Sequence, residues 1–198
     1  MKKLLTALFI VLFPVAAHAQ EAKPQLLKEP VHWLFERFEL PPSFAPAIVF
    51  KGAEELRFSP GMFKKDSADY FSYAFVSELD NTTSVSQNDI QNYLLNYFKG
   101  LCSVTAKDRK LVIDTSAITV AVERKNEVAK NEVIYNALLN IFGVFADGAP
   151  LKLNMEVKVL PNTSFKKTYL IFITSPREKT DKIWNELYAI QKNFIVPS

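Results

Sequence analysis

Few side chains in this sequence could do chemistry, and each can be weighed by its neighbours. His18 falls within an apolar N-terminal stretch, which leaves His32 as the histidine of the rest of the chain. If Pro30 opens a helix, Glu29 and Glu36 flank His32 at about one turn on either side. A carboxylate–imidazole cluster of that kind moves protons or holds a metal. The same residues also read as a surface histidine on the polar side of an amphipathic helix. Glu54 and Glu55, with Asp66 and Asp69, form a second group of carboxylates around one inter-strand connection. Carboxylate pairs drive glycoside hydrolysis, but neighbours in sequence need not meet in space, and loop carboxylates are commonly just solvated.

The other routes to catalysis lack their residues. There is no G-x-S-x-G, and with five glycines in the chain a Gly-rich phosphate loop has little to be made of. The single cysteine, Cys102, cannot form an intrachain disulfide or a Cys-based metal cluster, and reads as a small half-buried apolar side chain. No catalytic, metal-ligating or cofactor-binding residue is assigned, and no cofactor is expected. Asn81-Thr82-Thr83 and Asn162-Thr163-Ser164 match the glycosylation pattern but read as polar turns.

The N-terminus carries an address. Lys2 and Lys3 precede an apolar run from Leu4 to Val15, and Ala17-His18-Ala19 supplies small residues for a signal peptidase. Residues 1–19 therefore read as a cleaved secretory signal peptide, with Gln20 as the new first residue. The run is too short for a spanning helix, which needs about 20 apolar residues, so no membrane span is expected after cleavage. The short basic start and the A-x-A site suggest a bacterial periplasmic or secreted protein. Losing Lys2 and Lys3 lowers the formal net charge from +3 to +1. That near-neutral balance argues against a nucleic-acid partner, which calls for a concentrated basic patch.

The elements that must position these groups follow from periodicity. Residues 20–30 read as a polar lead-in, and 31–198 as one domain. Val31, Leu34, Phe35 and Phe38 predict a short amphipathic helix, stopped by Pro41-Pro42. Ile48–Phe50 could add a short edge strand. Phe71–Leu79 is apolar or small on both faces, which predicts a central strand. Ser86 and Asp89 form a capping box, and Val85 with Ile90 a hydrophobic staple. The helix they open buries Ile90, Tyr93, Leu94, Tyr97, Phe98 and Leu101 and ends near Gly100–Cys102. Strands are predicted at Ile118–Glu123, within Val133–Phe145, at Leu151–Val159 with one wet face, and at Thr168–Thr174. Ser175, Pro176 and Glu178 predict the start of a final helix that buries Trp184 and Leu187. The expected fold is α+β: an antiparallel sheet of about five or six strands, with two main helices packed on one face.

One connection stands out. In "ELRFSPGMFKKDSADYFSYAFV", residues 55–76, Pro60-Gly61 suggests a type II turn, and two apolar residues, Met62 and Phe63, follow it. Such a pair pins the loop to the domain, either as a plug at the end of the sheet or as a flap over a pocket. Met62, Phe63, Tyr70 and Tyr73 are the candidate ligand or flap residues. Residues 52–76, with the EELRF strand, the PGMF bend and the Y-F-x-Y-x-F strand, resemble a pattern in a family of exported bacterial proteins of unknown function. That resemblance implies no activity, cofactor or site residue.

The expected function is a non-enzymatic exported domain that binds a small apolar or amphipathic ligand or a partner protein. The alternatives are a carboxylate-dependent hydrolase and an envelope scaffold or assembly protein.

Overall fold

The computed structural model describes residues 25–125 and 132–197. Seven strands, β1 (Leu34–Leu40), β2 (Gly52–Phe58), β3 (Tyr73–Asp80), β4 (Thr119–Arg124), β5 (Val133–Phe142), β6 (Pro150–Asn162) and β7 (Lys167–Ser175), make one antiparallel sheet. Their spatial order is β1-β2-β3-β7-β6-β5-β4, with α1 (Gln87–Arg109) between β3 and β4 and α2 (Ile183–Asn193) after β7. The α+β class and the single antiparallel sheet are as expected, with seven strands where five or six were expected. The expected signal peptide, residues 1–19, and most of the charged connection at 124–131 lie outside the described residues. No helix among the described residues is long and apolar enough to cross a membrane.

The two helices do not share a face, contrary to expectation. Successive residues of a strand point to opposite sides, and the two central strands divide accordingly. Tyr73, Phe75 and Leu79 of β3, with Leu170 and Phe172 of β7, join Ile90, Tyr93, Leu94, Tyr97 and Phe98 of α1 in one core. Ala74 and Val76, with Tyr169, Ile171 and Ile173, join Ile183, Trp184, Leu187 and Ile190 of α2 in a second. Strands apolar on both sides need cover on both sides, and each helix supplies one.

Residues 31–38 form no helix. β1 pairs with β2 from Leu34↔Phe58 to Leu40↔Gly52. Between Pro30 and Pro41 there is little length for a stable helix, whereas the strand gains a full ladder. The segment before β1 is part of the fold: Leu27 and Trp33 are buried in the second core. Two polar side chains of β2 pin it. Glu55 accepts hydrogen bonds from the backbone N–H of Leu26 (2.7 Å) and Leu27 (2.8 Å) and pairs with Arg37. Arg57 donates to the carbonyls of Leu27, Trp33 and Lys28. No strand forms at 48–50, although Ala45 and Ile48 are buried in the first core.

α1 opens as predicted: the Ser86 hydroxyl accepts from Asp89 N–H, and the Asp89 carboxylate accepts from Ser86 N–H at 2.9 Å. It runs about two turns past the expected end, to Arg109. Gly100 is not a stop signal. A Cβ there would stand 2.0 Å from the carbonyl oxygen of Phe44, so the glycine lets the 42–48 segment lie directly on the helix. α2, in contrast, starts later than Ser175 suggests. The Ser175 hydroxyl accepts from Arg177 N–H within a turn (3.1 Å). The non-helical 176–182 stretch lets Lys179 reach back to Asn136 (2.6 Å) and to Glu156 (3.4 Å). Glu156 is itself buried on the expected wet face of β6, and Lys125 completes its neutralisation at 3.0 Å.

Candidate functional site

The first core opens at one end into a cleft of about 440 Å3. Phe38 of β1 and Leu56 and Phe58 of β2 form its floor, and Tyr73 of β3 lies beside them. Tyr97 and Leu101 of α1 make one wall, with Phe44 set edge-on against Tyr97 at 5.1 Å and 90°. The other wall is built by two loops. Phe63 stands against Phe58 at 5.7 Å and edge-on to Phe145 at 5.3 Å. An exposed ion pair, Lys65 with Asp147, joins the same two loops nearby.

The loop from Ser59 to Ser72 is held by its own backbone. Met62 N–H donates to Ser59 O (3.0 Å), Phe71 N–H to Met62 O (3.0 Å) and Ser59 N–H to Ser72 O (3.2 Å). Gly61 lacks the positive φ that a type II turn requires. Its bareness serves another purpose: a Cβ would collide with Ser67 and with the Asp69 carboxylate, which accepts from Gly61 N–H at 2.8 Å. Burial opposes ionisation of Asp69, but hydrogen bonds from Ser67 and Gly61 outweigh it and hold its pKa below the ordinary value. Asp69 is therefore a loop-fixing group. Arg177 adds a brace from outside, donating to the carbonyls of Ala68 (3.0 Å) and Ser67 (2.9 Å).

The four candidate residues separate. Met62 is 1% exposed and belongs to the core, whereas Phe63 is 47% exposed at the rim. Met62 plugs the end of the sheet and, although buried, also lines the cleft, while Phe63 borders its opening. Tyr73 is buried and lines the cleft, but Tyr70 does not line it. The Tyr70 ring packs on Phe71 at 5.7 Å instead.

The carboxylates separate as well. Glu54 and Glu55 occupy opposite faces of β2, as adjacent strand residues must, so they cannot act as a pair. Asp66 and Asp69 border a surface hollow with His32 and Arg177. His32 is exposed and sits in a turn, not on a helix. No group of three His, Cys, Asp or Glu among the described residues is placed to hold a metal.

Glu54 is the group whose environment the sequence did not reveal. It lies wholly buried in the aromatic core, where one carboxylate oxygen accepts from Ser77 Oγ at 2.7 Å and from the Tyr93 hydroxyl. The other oxygen has no hydrogen-bond partner among the described residues. Burial raises its pKa to about 7, against the pull of hydroxyls on Tyr93, Ser77 and Tyr97 and with a smaller push from the Glu36 charge. Tyr97, a wall of the cleft, thus also bears on Glu54. The available signal was the strand pattern of "GAEELRF": a strand buried on both faces must bury both of its glutamates.

No family model matches this chain, and neither curated proteins nor solved structures show a significant similarity to it.

Proposed function

We propose that this chain is an exported, non-enzymatic binding domain that takes a small apolar or amphipathic ligand in the aromatic cleft. The observation that carries the reading is a half-exposed Phe63 at the rim of a 440 Å3 cleft walled by Phe38, Phe44, Phe58, Tyr97 and Phe145. Ligand sites are concave and mostly apolar, with a few convergent polar groups, and this cleft falls within their usual size range. The hydrolase alternative gains no comparable support. Its carboxylates are split between two faces of β2, tied into a loop or exposed at the surface.

Nile red, a neutral dye that brightens in apolar surroundings, tests the cleft. Binding should be saturable with one site per chain. Phe63→Ala should weaken it roughly fivefold, because truncating a partly buried aromatic removes about 1 kcal/mol of contact. The same substitution should leave the denaturation midpoint nearly unchanged. Dye binding indifferent to Phe63 would place the ligand site elsewhere.

Export rests on the Lys2-Lys3 start, the apolar run and the Ala17-His18-Ala19 site. Intact mass of the protein recovered outside the cytoplasm should correspond to a chain beginning at Gln20. A mature form that retains Met1–Ala19 would refute cleavage.

A further inference from the structure

The charge of the cleft narrows the ligand further. We infer that the cleft selects an organic cation: a quaternary ammonium or protonated amine carried on an apolar body. The inference rests on the ligand-site reading above and adds a sign to it. Among the described residues that line it, Glu36 and Glu39 are the charged ones, with no lysine, arginine or histidine. Glu36 shares the cleft face of β1 with Phe38, whereas Glu39, one residue beyond Phe38, turns its side chain to the other face. This runs against the chain as a whole, whose formal net charge is +3, or +1 without Lys2 and Lys3. An anionic ligand would meet the Glu36 carboxylate and no lining counter-charge at this opening.

The walls suit a cation in a second, independent way. Aromatic faces carry negative potential and attract an ammonium group within about 6 Å of the ring centre. Phe44 against Tyr97 and Phe63 against Phe145 are both edge-on pairs, so the rings around the opening face in different directions and do not form one stack. That arrangement surrounds a compact charged head from several sides. Phe38 stands 6.1 Å from Phe44 and extends the ring wall toward Glu36, on the same face of the same strand. Glu54 stands directly across the ladder from Phe38 on that face, and one of its carboxylate oxygens has no hydrogen-bond partner among the described residues.

Calorimetric titration of the full mature chain with three probes of one shape tests the inference. The probes are phenethyltrimethylammonium, its neutral isostere with carbon in place of nitrogen, and a phenylalkyl sulfonate of similar length. The cation should bind about tenfold more tightly than the neutral isostere, the scale of a partly desolvated cation–π site, and the sulfonate should bind weakest. Added salt should weaken the cation and leave the neutral probe unchanged. Glu36→Gln and Glu39→Gln lie at exposed positions on opposite faces of β1. Glu36→Gln should lower cation affinity roughly twofold to fivefold and leave the neutral isostere as it was, and Glu39→Gln should have the smaller effect on the cation. Equal or tighter binding of the neutral isostere would overturn the selection for cations while the ligand site stands. Cation binding insensitive to Glu36→Gln, or lowered more by Glu39→Gln, would overturn it too. If none of the three probes binds, the ligand-site reading falls and this inference with it.

Discussion

Trp184→Ala should unfold the protein at a markedly lower temperature. Trp184 is fully buried against β3 and β7, and its Nε1 donates to the Arg177 carbonyl at 2.9 Å. Lys179 lies over the ring at 5.5 Å, on its way to Glu156. Truncation therefore empties the centre of the second core, frees a carbonyl and loosens the cation that neutralises a buried carboxylate. Removing a buried tryptophan costs about 3–5 kcal/mol, a large part of a domain's total of about 5–15 kcal/mol. For a domain of this size the melting temperature should fall by roughly 10 °C or more. Trp184→Phe, which keeps most of the packing, should lose much less. A melting curve unchanged by the alanine substitution would mean that α2 does not dock on the sheet.

Glu54 should make the protein less stable as pH rises through neutrality. Its folded pKa of about 7 lies above the ordinary value of 4.5, so the folded state holds the proton more tightly than the unfolded chain. The sign follows directly: the contribution is complete below pH 4.5 and is lost as pH rises toward and through 7. The loss amounts to about 3 kcal/mol, from the free energy of a pKa difference of this size. The cause is burial among Tyr73, Tyr93 and Tyr97, with a smaller push from the Glu36 charge on β1, and it outweighs the opposing hydrogen bonds from Tyr93, Ser77 on β3 and Tyr97. Other groups also titrate across this range, so the variant carries the test. Glu54→Gln keeps the shape and cannot ionise. Relative to the wild type, it should gain about 3 kcal/mol between pH 4.5 and pH 8 in urea denaturation. A difference between the two proteins that is the same at both pH values would show that Glu54 does not ionise in this range.

The parts of the fold legible in the sequence are those where local and tertiary preferences agree. Ser86, Asp89 and the stripe from Ile90 to Phe98 specify α1 without reference to the rest of the chain. The strands β3 and β7 are long β-branched and aromatic runs that leave little alternative. Where the two preferences conflict, packing decides. The i, i+3, i+4, i+7 spacing of Val31, Leu34, Phe35 and Phe38 is helical, yet pairing with β2 makes the segment a strand in which Leu34 is largely exposed. The Ser175–Glu178 spacing is a capping signature, yet the buried Glu156 draws Lys179 away from any helix. The placement of the helices was recoverable in principle, because residues 71–79 are apolar on both faces and one layer of helix cannot cover both. The site was half legible. Met62 and Phe63 mark the unusual loop, but Phe38, Phe44 and Phe145 come to the cleft from distant positions. The burial of Glu54 depends on Tyr93, a helix face 39 residues away.

The division of the sheet into two faces also fixes how the molecule could be held. Gln25–Pro30 and Phe194–Pro197 border one and the same hollow beside α2, and the Asn162 amide donates to the Pro197 carbonyl at 3.1 Å. The aromatic cleft belongs to the α1 side. Both ends of the described chain thus emerge on the side away from the cleft. A tether, a fused partner or a solid support attached through residues 25–30 or 194–197 leaves the opening turned outward. Because these two segments border one hollow, a short linker between them joins the described domain into a ring that leaves the mouth of the site undisturbed.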